Sequence, residues 1–172
     1  METLRFDIVK TTWGYLALAA SRHGLRHVVL PRSSRQEAFH ALTAVLQGEK
    51  LRPDPEDALL TAVAGQMRGY FRGRPIAFAC KLDYNVATVF QREVWSVTRT
   101  LAYGQTRSYG WVAECLGAPG ARRAVGQALN ANPLPLVVPC HRVTAARGRL
   151  GGFGGGPELK SRLLQLEGTV LT

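Results

Sequence analysis

Strand-like apolar stretches fill the first thirty positions, and apolar residues then recur at helical spacing. Leu4–Val9, Trp13–Ala20 and His27–Leu30 read as strands, with Gly14 and Gly24 marking turns between them. Ala38, Leu42, Val45 and Leu46 predict a helix over Arg35–Gln47, with Gly48 as its C-cap. Pro53-Asp54-Pro55 interrupts the chain. A second helix follows, with Leu59, Leu60, Val63, Met67, Tyr70 and Phe71 on one face and Gly73 and Pro75 at its end. These positions read as core packing, and no catalytic constellation occurs before residue 85.

The pattern changes near Asn85–Thr88 and is mostly helical afterwards. Thr88 and Gln91 fit a capping box, and Phe90, Val94, Val97 and Leu101 continue along one face up to Gly104. Ser108 is placed as the N-cap of a short helix, Tyr109–Leu116, stopped by Gly117. Ala118-Pro119-Gly120 then turns the chain into a second short helix, Ala121–Asn130. Two short helices about a glycine turn suit a helix-turn-helix, a spacing many α-hairpins share. Leu134–Val138 reads as a buried extended segment leading to Pro139-Cys140-His141. Six glycines between Gly148 and Gly156 make a loop that admits close backbone approach to a ligand. Pro157 opens a last helix carrying Leu159, Leu163 and Leu166, which ends at Glu167-Gly168.

Composition narrows the class. With 46% apolar and 20% charged residues the 172-residue chain is ordinary globular material, not disordered or fibrous. No run approaches a membrane span, and no secretory h-region follows Met1, so an intracellular, cytoplasmic location is expected. Three cysteines (Cys80, Cys115, Cys140) without CxxC spacing indicate neither a disulfide framework nor a zinc cluster. The net charge of +10 divides as +4 over residues 1–85 (12 basic, 8 acidic) and +6 over 86–172 (10 basic, 4 acidic). A polyanionic partner fits this balance, as does a generic basic surface.

The adjacent Cys140 and His141 are the candidate reactive pair. A thiol becomes nucleophilic as its thiolate forms, and a histidine acting through water can draw off the proton. The dipeptide alone is also compatible with a buried cysteine beside an unrelated histidine.

Its surroundings carry more. Thr88-Val89-Phe90-Gln91-Arg92-Glu93-Val94-Trp95, Gly104-Gln105-Thr106-Arg107-Ser108-Tyr109-Gly110, Arg123-Ala124-Val125-Gly126, Asn132-Pro133, Pro139-Cys140-His141-Arg142-Val143 and Leu166-Glu167-Gly168 occur in this order. Residues 88–168 thereby resemble the active-site domain of the O6-alkylguanine-DNA alkyltransferases. Residues 1–85 resemble the family's smaller domain more loosely, through Trp13-Gly14 and the strand-strand-helix order.

The resemblance implies an α+β protein. A small N-terminal α/β (RNase H-like) domain over 1–85 would precede a mostly helical, winged helix-turn-helix-like domain over 86–172. It implies direct-reversal DNA repair, in which Cys140 irreversibly accepts an alkyl group from guanine O6 and, less well, thymine O4. The enzyme would be a single-turnover methylated-DNA–protein-cysteine S-methyltransferase using no cofactor and no metal. His141 would act as a water-mediated base held by Glu167. Tyr109 would donate a proton as the guanine leaves, and Asn132 would join the recognition helix to the active-site segment.

The carbonyls of Cys140 and Val143 would read the guanine 2-amino group, the Gly154 amide would meet O6, and Phe153 would wall the alkyl group. Arg123 would fill the space of a base flipped from the duplex. Ala121, Arg122, Ala124, Gln127 and Ser108 would lie along the DNA, approached from its minor groove. The expected partner is duplex DNA carrying the lesion, with the protein a monomer that associates with the nucleoid and cooperative binding left open. Arg122, Asn130, Phe153 and Gly154 depart from residues the family often has, which bears on phosphate affinity and alkyl size. A non-catalytic alkyltransferase-like lesion binder is the alternative, and the presence of Cys140 speaks against it.

Overall fold

A computed structural model describes residues 2–85 and 87–169; Met1, Val86 and residues 170–172, on which three of the expected domain bounds fall, lie outside the described residues. The chain forms two compact units, residues 1–85 and 86–172.

In the first unit, β1 (Thr3–Thr11), β2 (Gly14–Ser21) and β3 (Gly24–Arg32) form consecutive antiparallel hairpins. They are followed by α1 (Arg35–Val45), β4 (Lys50–Pro53) and α2 (Ala58–Phe71). The sheet order is β3-β2-β1-β4, with β4 parallel to β1. Gly14 is required at the first turn. Its φ is +119°, and a Cβ there would sit 2.4 Å from the Arg32 carbonyl oxygen.

Ile8, Ala17, Ala19 and Val29 from one sheet face pack with Ala38 and Leu42 of α1. Val45, expected on the same face, is exposed; burial on α1 stops at Leu42. Helix α2 buries Leu60, Val63, Met67, Tyr70 and Phe71, and is capped by Asp57, whose carboxylate accepts from the Leu60 amide and pairs with Arg5.

The second unit contains α3 (Val89–Arg99), β5 (Arg107–Ser108), α4 (Tyr109–Cys115), α5 (Arg122–Asn130), β6 (Val143–Thr144) and α6 (Pro157–Leu166). The capping box of α3 is formed in both directions between Thr88 and Gln91. Trp95 of α3 donates its indole N–H to the Ala128 carbonyl of α5 (2.8 Å), which ties these helices together in the core. The parallel pair β5–β6 sets Arg107 against Val143 and Ser108 against Thr144. The start of α4 is thus held beside the segment that follows Cys140.

Leu134–Val138 is buried but not extended. The Val138 amide bonds back to the Leu134 carbonyl (2.9 Å) and Leu136 has φ +73°, so the segment is a tight turn. Pro133, Pro135 and Pro139 have no amide hydrogen to give to a ladder, and a local turn replaces the strand. Helix α5 begins at Arg122 rather than Ala121, which stands as its N-cap.

Candidate functional site

Cys140 opens a one-turn 3-10 helix, Cys140–Arg142, immediately after the proline-rich turn. Asn132 fixes that turn from both sides. Its amide group donates to the Val138 carbonyl (3.0 Å), and its side-chain oxygen accepts from the Leu134 amide (2.9 Å). Since Asn132 directly follows α5 and its linking residue, one side chain couples the end of that helix to the entry of Cys140. The thiol is almost fully buried, and burial pushes its pKa up. A hydrogen bond from Asn132 and the charge of Lys160 pull the other way.

His141 and Glu167 are buried and in contact, with Nε2 2.7 Å from the Glu167 carboxylate. The carboxylate is bound on every side: Arg142 donates through Nε (2.9 Å) and Nη2 (2.8 Å), and the Gly104 amide adds a third partner (3.1 Å). Burial alone would raise the carboxyl pKa, but the bonds from His141 and Arg142 win and hold it at about 2. Burial lowers the pKa of His141, so the ring is neutral near neutral pH. An ionised carboxylate only accepts, so Nε2 carries the ring proton and Nδ1 is the basic nitrogen. Arg142 also donates through Nη1 to the Leu101 carbonyl (2.8 Å), locking this cluster to the end of α3.

Tyr109, first residue of α4, donates its hydroxyl to the Gly152 carbonyl (3.2 Å). Burial, with Cys140 nearby, keeps the phenol above its ordinary pKa and therefore protonated. Gly151 makes room for it: a Cβ at that position, where φ is +73°, would lie 2.6 Å from the phenol oxygen. The Ser108 hydroxyl caps α4 by accepting from the Trp111 amide (3.0 Å).

Lys160 carries no signal in the apolar pattern, yet it belongs to the site. Its side chain is completely buried in α6, with Nζ donating to the carbonyls of Val143 (2.7 Å) and Gly152 (3.1 Å) and lying 5.8 Å from the Tyr109 ring centre. Burial lowers its pKa to about 8, while Cys140 acts to raise it. One cation thus joins the segment after Cys140, the glycine-rich loop and Tyr109. Its position could have revealed it, since Lys160 is three and four residues before Leu163 and Leu164, on the inward face of the helix. Arg142, inside the Pro-Cys-His-Arg-Val motif, likewise has a role that the sequence does not disclose.

A cavity of about 740 Å³ opens beside this machinery, lined by α4 and α5 and by Ala145, Ala146 and Gly152. Of the residues expected on DNA it gathers Ser108, Arg122, Arg123 and Gln127, together with Tyr109; Ala121 and Ala124 are outside its lining. Arg122 and Arg123 occupy the first turn of α5, where the helix dipole disfavours cations and no side chain caps the amides. The Arg122 guanidinium lies over Gly110, with Nε 3.0 Å from where a Cβ would be. Such a helix terminus offers both N–H groups and cations to an anion. Phe153 stands edge-on to His141, ring centres 6.5 Å apart, while Gly154 is exposed. Among the described residues no cluster of metal-ligating side chains occurs, and no helix is long and apolar enough to cross a membrane.

The chain is similar to known proteins in sequence and in fold. The 6-O-methylguanine DNA methyltransferase DNA-binding domain matches residues 89–169. The methylated-DNA–protein-cysteine methyltransferase of Mycobacterium leprae is 49% identical over 113 residues, 66% of this chain and 68% of the relative. That of Methanosarcina acetivorans is 45% identical over 164 residues, 95% of this chain and 98% of the relative. Among solved structures, Mycobacterium tuberculosis OGT in complex with DNA superposes with a TM-score of 0.77 at 36% identity, covering 95% of this chain and 92% of its own. With a relative 45% identical and matched along nearly its whole length, and with a buried cysteine next to a histidine–carboxylate pair, the chain belongs to the methylated-DNA–protein-cysteine methyltransferase family.

Proposed function

We propose that this protein repairs alkylated DNA by direct reversal, taking the alkyl group of O6-alkylguanine, and less readily of O4-alkylthymine, onto Cys140. The observation that carries this reading is the buried His141–Glu167 pair (2.7 Å) on the residue adjoining a buried thiol. Glu167 fixes the proton on Nε2, and Nδ1 takes the thiol proton through a bridging water. The thiolate sulfur attacks the alkyl carbon, a carbon–sulfur bond forms as the carbon–O6 bond breaks, and the guanine leaves with the electron pair. Tyr109 supplies a proton to the departing base, consistent with a phenol that stays protonated. No step restores the thiol, so each molecule acts once.

The lesion lies inside a duplex and must be extruded first. The cavity beside α5 receives the flipped nucleotide, Arg123 takes its place in the stack, and Arg122, Gln127 and Ser108 meet the backbone. Asn132 holds the helix and the Cys140 turn in one register. The carbonyls of Cys140 and Val143 read the base, Val143 sharing its lone pairs with Lys160; the Gly154 amide meets O6 and Phe153 walls the alkyl group. Residues 1–85 form the N-terminal α/β domain and 86–172 the DNA-binding and active-site domain. The protein works in the cytoplasm, on the nucleoid.

Stoichiometry tests the reading. With a duplex carrying O6-methylguanine in excess, lesion loss is expected to stop at one equivalent of protein. Continued turnover, or no loss at all, contradicts it.

A further inference from the structure

Arg147 and Gly148 are consecutive left-handed residues, with φ +60° and +72°. They form the tip of a two-residue turn, closed by Ala145 N–H to the Arg149 carbonyl (2.8 Å) and by the longer Arg149 N–H to Ala146 carbonyl bond (3.5 Å). Such primed turns take glycine at the first tip position, which has no Cβ to strain, or asparagine, whose short polar side chain bonds locally and offsets the strain; longer side chains have neither advantage. This chain carries arginine, at φ +60° and ψ +34°. No ion pair among the described residues offsets it. The Arg147 and Arg149 side chains are exposed, and neither forms an ion pair with any described residue.

The base of the same turn, Ala145 and Ala146, lines the cavity that also presents Arg122 and Arg123, with Glu114 as the acidic residue in that lining. Strain kept where it stabilises nothing points to a ligand, and paired guanidinium groups suit a phosphodiester.

We propose that the Arg147–Arg149 turn is a second phosphate grip, which holds the DNA backbone from the loop side of the cavity while α5 holds it from the other element. The inference rests on the reading that this cavity takes DNA. Arg147 grips through its charge, carried at the exposed tip of the turn. Arg149 adds a second charge two residues on.

Three replacements separate the grip from a structural role. Arg147→Asn and Arg147→Gly both suit the turn's backbone but remove the charge, whereas Arg147→Lys keeps the charge and the strain. Arg147→Asn is expected to raise the melting temperature slightly while weakening binding to a lesion-free duplex several-fold. The slope of log K against log salt concentration should become shallower by about 0.9 for each phosphate no longer neutralised. Arg149→Ala should flatten the slope similarly, and Arg147→Lys should preserve it. Reaction with the free base O6-benzylguanine should be unchanged in all of them.

An unchanged slope in Arg147→Asn and Arg147→Gly overturns the grip. So does an equal loss on duplex and free base, which would make the turn a support of the active-site loop. If the unaltered protein shows no salt-dependent binding to DNA, the DNA reading itself fails. If it does bind, and Arg123→Ala impairs duplex repair while the turn variants do not, the grip alone fails.

Discussion

Glu167→Gln is expected to impair both the reaction and the fold, because one carboxylate serves both. Its oxygens accept from His141, from two nitrogens of Arg142 and from the Gly104 amide, all in a buried setting. The amide is nearly isosteric but neutral, so Arg142 is left as a buried cation without its counter-charge. Breaking a buried pair from one side costs about 3–5 kcal/mol, and a urea midpoint should fall accordingly. The variant keeps a single neutral oxygen for which His141, Arg142 and the Gly104 amide compete, so the His141 proton is held on Nε2 less firmly and the ring loses the charge that supports it as a base. Because general-base assistance contributes about 10²–10⁴-fold, the single-turnover rate should fall at least about 100-fold. A variant with normal rate and normal stability would show that the carboxylate is a bystander.

Acid sensitivity follows from the same group. The folded Glu167 carboxyl sits at about 2 against an ordinary value of 4.5, so its contribution is complete above 4.5 and lost as pH falls toward 2. His141, depressed by burial, and His27, depressed to about 4, act earlier: they bind a proton more readily when unfolded, so stability already declines as pH drops below 6.5. In Glu167→Gln the contribution of His27 remains, while the decline between 4.5 and 2 becomes shallower. Equilibrium unfolding at a series of pH values reads this directly.

The second large effect is expected at Arg123. The side chain is exposed at the mouth of the cavity and forms no ion pair among the described residues. Its removal should therefore cost the fold little. Extruding a base from a duplex costs a few kcal/mol, and a side chain that fills the vacated stack offsets part of that. Arg123→Ala should slow repair of an O6-methylguanine duplex by about 100-fold, since about 2.7 kcal/mol corresponds to that factor. Reaction with free O6-benzylguanine needs no flipping and should stay within about twofold of the unaltered protein. Equal losses on the two substrates would place Arg123 in the chemistry rather than in extrusion.

The parts legible in the sequence are those written in local chemistry. Gly14 and Gly24 mark the hairpin turns because no other residue suits their backbone, and Thr88 with Gln91 marks the start of α3. The motif around Cys140 and the distant Leu166-Glu167-Gly168 name a histidine and a carboxylate that lie 2.7 Å apart in the fold. Strand β4 leaves no trace in the pattern because it is short and largely exposed, so it shows no alternation of burial. The apolar residues of Leu134–Val138 say only that the segment is buried, which suits a strand as well as a turn; the prolines that forbid a ladder are the better guide. Lys160 is hidden for a related reason. Apolar spacing passes over a cation on the inward face, although a buried cation there is the more informative residue.

The fate of the Cys140 sulfur decides the mechanism. The protein is incubated with a duplex containing O6-methylguanine, digested, and the peptide carrying Cys140 is weighed and sequenced by mass spectrometry. One added methyl group is expected on Cys140, equal in amount to the guanine restored in the duplex, and absent from Cys140→Ala. Methyl found on Cys80 or Cys115, or guanine restored with Cys140 unmodified, would contradict direct transfer to this residue.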